Sequence, residues 1–214
     1  MAIDFDGTTS YIEATSGVVT AVPLTMSCWF NLDNATANQT VMSVSASGAT
    51  SARFAIVAAG AATNDPLRAV VQAGGTVVNA EAGTFLADTW HHGCAVFTSA
   101  TSRTIYLDHA TSGTNTTNIT PNSALINRTN IASQWGAGAR GVTGNGEIIE
   151  VGIWDVALTS DEIKSLSQGF KPTQIRPNSL VFYAPLVREV DDYVGGVALT
   201  ENAITVTPHY RRIG

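Results

Sequence analysis

The stretch Thr89-Trp90-His91-His92-Gly93-Cys94-Ala95-Val96-Phe97 gathers two of the chain's four histidines and one of its two cysteines beside a tryptophan. These residue types serve metal binding and nucleophilic catalysis. Their spacing argues against both. Adjacent residues of a strand point to opposite faces, so His91 and His92 cannot share one metal. His109 and His209 fall in a turn and in the C-terminal tail, and no H-x-x-x-H, H-E-x-x-H or paired-Cys spacing occurs. One histidine of the pair is expected to close a polar contact beneath a loop, the other to face water. Cys28 and Cys94 lie in alternating apolar runs and read as buried free thiols, with a disulfide as the alternative.

The remaining chemistry is equally sparse. Glycoside hydrolysis needs two carboxylates facing one sugar. The nearest pair is in Glu147-Ile148-Ile149-Glu150, where positions i and i+3 fall on opposite faces of a regular strand. No G-x-S-x-G motif exists, neither Ser10 nor Ser160 has an evident base, and Gly141 to Gly146 (GVTGNG) reads as a strand-connecting loop. No catalytic residue is therefore assigned. Asp4, Asp6, Asp108 and Asp155 could offer oxygen to calcium but share no ligand spacing, so no metal or cofactor is assigned. Exposed aromatics stack on sugar rings. Trp135, in Ser133-Gln134-Trp135-Gly136 beside a Gly-rich loop, is the best candidate for that role. Trp29 is a second, and a buried position is the alternative for each.

The elements that must position these residues are strands. Leu24, Met26, Cys28, Phe30 and Leu32 share one face of an alternating run, with Thr25, Ser27, Trp29 and Asn31 on the other. Arg53 to Val57 alternates again. Leu67 to Val71 and Thr76 to Asn79 flank Ala73-Gly74-Gly75 as a hairpin, and Trp90 to Thr98 with Thr104 to Leu107 make a second. Glu147 to Trp154, Leu180 to Leu186 and Val197 to Val206 read as further strands. One short helix is expected near 159–168: Thr159-Ser160-Asp161-Glu162 is a capping box, and Gly169 and Pro172 stop it. Phe170 to Asn178 is a candidate linker.

Composition supports this pattern. Charged residues make up 13% of the 214, and the net charge is −6. That is about half the usual charged share, so the surface is built from Thr, Ser, Asn, Ala and Gly. An acidic chain lacks the basic face that phosphate backbones require, and Arg211-Arg212 is too small a cluster to supply one. No nucleic-acid partner is expected. No run of about 18 apolar residues exists, so no membrane span is expected. The opening MAIDFDGTTSYIEA has no basic start and no apolar h-region, so no secretory signal is read there.

Six segments in order resemble laminin-G-like, concanavalin-A-like jelly-roll modules. Ile3 to Ile12 (IDFDGTTSYI) is similar to that family's opening "lxFdGxxdYv", Leu24 to Phe30 to "ftvsaWv", and Trp90 to Phe97 to "WHHvavvf". Ile105 to Asp108 resembles "lYvDG", Gly146 to Trp154 "GxIDEvrIw", and Ala157 to Ile163 "aLsadEI". His109 stands where the family usually has a turn glycine, and Ile149 where it usually has Asp. The resemblance implies an all-β antiparallel jelly-roll sandwich of two sheets, as one domain over residues 1–214. The stretch Leu180 to Thr200 resembles the segment that usually precedes the "FdG" strand. It implies that residues 170–214 are a C-terminal extension completing the sandwich, as a permuted first strand.

Related glucanases resemble E-x-D-x-E on an inner strand, which this chain lacks. The resemblance therefore implies a non-enzymatic structural or adhesive module. Similar single modules occur in phage-encoded proteins. Together with the missing export signal and the uncharged surface, this implies a bacteriophage virion component, such as a capsid decoration protein, head fibre or tail adhesin. Its localisation would be the virion, after synthesis in the host cytoplasm. Its partners would be other virion proteins or its own copies as a homo-oligomer, and cell-surface glycans. A lectin with no structural role is the alternative, with Trp135 and the Asp108/His109 turn at the rim of the ligand site. A glucanase-like hydrolase is third.

Overall fold

Alternating apolar residues from many short strands have to meet in one layer, and the way they do so sets the architecture. The computed structural model describes residues 1–141 and 143–208; Val142, His209 and Arg211-Arg212 lie outside the described residues. In chain order the strands are β1 (Ala2–Asp6), β2 (Tyr11–Ala14), β3 (Leu24–Leu32), β4 (Asn38–Ser45), β5 (Ala52–Ala59), β6 (Leu67–Ala73), β7 (Thr76–Ala82), β8 (His91–Ser99) and β9 (Ser102–Leu107). They continue as β10 (Thr111–Asn115), β11 (Arg128–Ile131), β12 (Gln134–Gly136), β13 (Ala139–Gly141), β14 (Asn145–Trp154), β15 (Leu180–Ala184), β16 (Leu199–Asn202) and β17 (Thr205–Thr207).

Two antiparallel sheets face each other. One runs β10-β9-β8-β3-β14-β1-β17, with β15 also on β14; the other runs β16-β2-β11-β4-β5-β6-β7. The core lies between them. Leu24, Met26, Cys28, Phe30 and Leu32 of β3 all enter it, as the alternation requires. Ile12, Met42, Phe54, Ile56 and Val71 enter from the second sheet. Phe54 and Phe97 meet edge to face across the layer, with centroids 5.1 Å apart. The fold is the expected all-β jelly-roll sandwich.

The outer face of the eight-stranded sheet is covered at one end. Helix α1 (Ser160–Ser167) starts at Thr159, whose side chain and that of Glu162 form the capping box. Ile163 and Leu166 of α1 pack with Cys94, Val96, Trp154 and Leu180 in a second apolar cluster. The Trp154 indole donates to the Ile175 carbonyl at 2.8 Å, which ties the 170–178 segment down. That segment, expected as a linker, holds two short 3-10 turns, Pro172–Gln174 and Pro177–Ser179.

Residues 180–207 contribute to both sheets. β15 pairs with Val151 to Trp154 of β14, and β1 pairs with Asn145 to Ile148 of the same strand. Ile3 donates its N–H to the Leu186 carbonyl at 3.1 Å. The two segments thus follow one another along a single edge of β14, in the same direction. β16 pairs with β2, and β17 with β1.

A chain truncated after Gly169 loses β15 to β17 and uncovers the core around Phe182 and Ala184, both fully buried. Opening that much apolar surface is expected to abolish soluble, cooperatively folding protein. Soluble yield and a thermal melt test this; a sharp melt at the full-length temperature would refute it.

Candidate functional site

Strand β8 divides its two histidines as alternation requires. His91 points inward, its ring 5.8 Å from that of Phe30. Its Nε2 accepts the Leu86 N–H at 3.0 Å, so the proton sits on Nδ1, which donates to Asp108 Oδ2 at 2.7 Å. Asp108 Oδ1 accepts the His92 N–H at 2.7 Å. His92 points outward yet is buried, against the expectation of a solvent-facing ring. Its Nε2 lies 2.9 Å from Ser27 Oγ, and its ring packs 5.3 Å from Trp29. Cys28 faces the inter-sheet core and Cys94 the outer cluster, both as free thiols. Burial pushes both thiols well above the ordinary cysteine range, which removes them as nucleophiles.

The β9–β10 turn holds Asp108 and His109, at φ +54° and +58°. That conformation explains why related sequences favour glycine at the second position. The His109 ring stacks on Tyr106, and its Nε2 lies 3.2 Å from Ser160 Oγ at the start of α1. Trp135 lies on the other sheet. No hydrogen bond or ring contact joins it to Asp108 or His109 among the described residues.

Trp135 belongs to the β12–β13 hairpin, which lies over the outer face of the seven-stranded sheet. Ser43 Oγ donates to the Ser133 carbonyl (2.9 Å), while Ser45 Oγ accepts the Trp135 N–H (3.2 Å) and Ser51 Oγ the Ala137 N–H (3.0 Å). Small hydroxyls on β4 and just before β5 thus replace the ladder the hairpin would otherwise need. On its β2 side, the Trp135 indole donates to Glu13 Oε2 at 2.5 Å. The Arg140 guanidinium sits 3.5 Å from the Tyr11 ring centroid and 4.9 Å from that of Trp135, and donates to Glu13 Oε2 at 2.7 Å. It also reaches Ser133 Oγ (2.8 Å) and Asn130 Oδ1 (3.3 Å), and Arg128 lies 3.4 Å from Glu13 Oε1. This clamp fixes the hairpin on the sheet.

On the opposite side of the hairpin the sheet face is a shallow groove of about 180 Å³, lined by Asn38, Arg53, Val57, Arg68, Val70, Val77, Asn79 and Gln134. Gln134 is 6% exposed. Its Oε1, Asn79 Oδ1 and Arg53 Nε are buried without a hydrogen-bond partner in the protein. Arg68 is paired with Glu81 at 2.7 Å. Sequence reasoning singled out Trp135, which lies in the clamp and not among the residues lining the groove, and did not anticipate Arg53, Gln134 or the Glu13–Arg140 clamp. The available signal was Arg53 and Arg68 at outward positions of apolar alternating strands, in a chain with only 11 basic residues.

The carboxylates do other work. β14 is bulged near Glu150, at φ +55°, so it is not the regular strand assumed from sequence. The bulge turns Glu150 towards Tyr183 of the outer cluster, whose hydroxyl donates to it at 2.8 Å. Glu147 accepts from Thr207 Oγ1 at 2.5 Å. Both glutamates therefore serve the outer side of the sheet rather than opposite faces. Asp6 accepts three backbone N–H groups of its own loop, from Thr8, Thr9 and Ser10, and both hydroxyls of Thr9 and Ser10. These bonds hold its carboxyl well below the usual carboxylate range. Asp4 takes Thr205 Oγ1 at 3.2 Å. Among the described residues no group of three or more His, Cys, Asp or Glu gathers as a metal site would require.

The sequence model of the laminin-G-type concanavalin A-like lectin/glucanases superfamily matches residues 6–164. The chain belongs to this superfamily. No curated protein matches it. Among solved structures, a candidate carbohydrate binding protein from Bacteroides ovatus aligns at TM-score 0.64 and 19% identity, over 96% of this chain and 59% of that one. The chain thus spans about three-fifths of that relative. The CBM40 of a Ruminococcus gnavus IT-sialidase, bound to α2,3 sialyllactose, aligns at TM-score 0.61 and 10% identity, over 78% of this chain and 96% of that one. The enzymatically active domain of bacteriophage CBA120 tailspike protein 2 aligns at TM-score 0.56 and 14% identity, over 83% and 28%. At these identities the likeness is one of fold.

Two outcomes are expected. Glu13→Gln leaves Arg128 and Arg140 without their shared carboxylate and costs about 2 kcal/mol in chemical denaturation. Asp6 has a depressed folded-state pKa, so its stabilisation is present above the unfolded aspartate value of about 4 and fades as pH falls below it. The gap in denaturation midpoint between the wild type and Asp6→Asn should hold at neutral pH and narrow towards pH 3. A gap that widens in acid would refute that assignment.

Proposed function

We propose that this protein is a non-catalytic glycan-binding sandwich that works as an adhesive component of a bacteriophage virion. The observation that carries the glycan reading is the groove beside the β12–β13 hairpin. It combines unpaired buried acceptors on Gln134 and Asn79, an arginine without an acceptor, and an apolar floor of Val57 and Val70. Sugars present hydroxyl donors around an apolar C–H face, and shallow rigid sites with a few placed polar groups suit them. The chemistry for hydrolysis is missing on the same face: its two glutamates, Glu13 and Glu81, are both held by arginines.

Fold likeness to proteins named for carbohydrate binding supports this reading, as does likeness to a phage tailspike for the virion role. Neighbouring virion proteins and further copies of this chain would be the partners in the particle. A lectin without a structural role differs in one respect: it would not be found in purified particles.

An oligosaccharide array with and without calcium tests the glycan reading. Binding is expected at millimolar sugar or below, independent of calcium. It should weaken at least about tenfold in Gln134→Ala, which removes a groove acceptor, as loss of a placed polar contact does. Loss in His109→Ala instead would move the site to the Asp108/His109 turn. Mass spectrometry of purified particles tests the virion role, and light scattering tests self-association.

A further inference from the structure

Every other arginine of the described chain has an acceptor. Arg68 has Glu81, Arg128 and Arg140 share Glu13, Arg176 has Glu162, Arg103 has the carbonyls of Ala100 and Thr117, and Arg188 has Met1 Sδ. Arg53 has none, although it stands mid-sheet on β5 between Ser45 and Gln72. A partly buried guanidinium without an acceptor is costly, and burial alone pulls its proton affinity down. Apolar replacements fit the same face, where Ala55, Val57 and Val70 already form a small cluster. A stability role therefore does not account for this residue.

We propose that Arg53 makes the groove selective for a glycan that carries a carboxylate, taken bidentately by its planar fork. The inference rests on the glycan reading above and adds the ligand's charge. Arg53 supplies parallel N–H donors at the geometry a carboxylate matches. Gln134 Oε1 and Asn79 Oδ1 supply acceptors for hydroxyls on the same ring. The apolar floor takes its C–H face. Charge agrees with the assignment. The chain as a whole carries −6, so its overall field does not draw anions. The outer face of the seven-stranded sheet is the exception, with Arg53, Arg68, Arg128 and Arg140 against Glu13 and Glu81. At about 180 Å³ the groove falls below the roughly 300–1,000 Å³ of drug-sized sites, so it holds one acidic sugar unit of a longer chain.

The test compares the full chain and two variants, Arg53→Gln and Arg53→Lys, by calorimetry against an acidic oligosaccharide, its carboxyl-reduced counterpart and a sulfated one. The wild type should bind the carboxylated sugar at least about tenfold tighter than the reduced form. Arg53→Gln should erase that ratio while keeping its melting temperature, and Arg53→Lys should retain only part of it. Equal binding of acidic and reduced forms, unaffected by Arg53→Gln, overturns the inference and leaves the glycan reading standing. Preference for the sulfated sugar overturns the carboxylate assignment. Binding of none of the three, with no neutral hit on the array, overturns both readings. If Arg53→Gln fails to fold, the Arg53→Lys ratio decides: an unchanged ratio counts against the fork.

Discussion

Two sheets can bury one apolar layer between them only if each strand sends every second side chain inward. That constraint governs almost everything else in this molecule. It places Leu24, Met26, Cys28, Phe30 and Leu32 in the core together, and with them His91 and Phe97 of the neighbouring strand. The same alternation throws Ser27, Trp29, His92 and Cys94 to the outer face, where α1 and the following segment cover part of the surface. A pair of adjacent histidines is thereby split between two environments, and among the described residues neither histidine joins a group of three or more His, Cys, Asp or Glu. His91 becomes a tie between the Leu86 loop and the β9–β10 turn, through hydrogen bonds at both ring nitrogens.

A second demand follows from the first. Polar groups turned outward on a sheet that is then partly covered must find partners, because an unpaired buried donor or acceptor carries its full desolvation cost. Most of the covered face of the seven-stranded sheet meets this demand. The serines of β4 accept from and donate to the β12–β13 backbone, Asn130 bridges Ser43 and Ser45, and Glu13 collects Trp135 and Arg140. Thr40 Oγ1, Gln72 Oε1 and Arg128 Nε on this sheet also lack hydrogen-bond partners among the described residues, and the groove brings three such groups together, on Arg53, Asn79 and Gln134. That concentration is what the proposed ligand's own polar groups would satisfy.

The tail obeys the same sheet logic in another form. β14 has one edge taken by β3 along its length, and its other edge shared by β15 and β1 in succession. The bulge at Glu150 falls at the junction of the two, where the ladder is handed from one chain segment to the other. Such an arrangement lets strands far apart in sequence build one continuous edge, and it makes residues 180–207 part of both sheets.

Much of this was legible in the residues. Period-two runs located β3, β5, β8 and β14, Gly74-Gly75 located a hairpin, and the Thr159/Glu162 box located the helix, because these signals are local. β4 was not legible: Thr40, Ser43 and Ser45 interrupt its apolar pattern, and only the hairpin laid over the sheet explains the buried hydroxyls of Ser43 and Ser45. Trp135 stood out as a tryptophan beside glycines, yet its position in a clamp of Glu13, Arg140 and Tyr11 joins residues more than a hundred apart. Sequence by itself determined the sandwich and the separation of the histidines, since these depend on the direction of side chains along a single strand. Only the tertiary structure decided that Arg53 lacks an acceptor, that His92 is buried and that Glu147 and Glu150 serve one side. Those facts depend on which strands become neighbours and where a bulge breaks the alternation, and no local pattern carries that information.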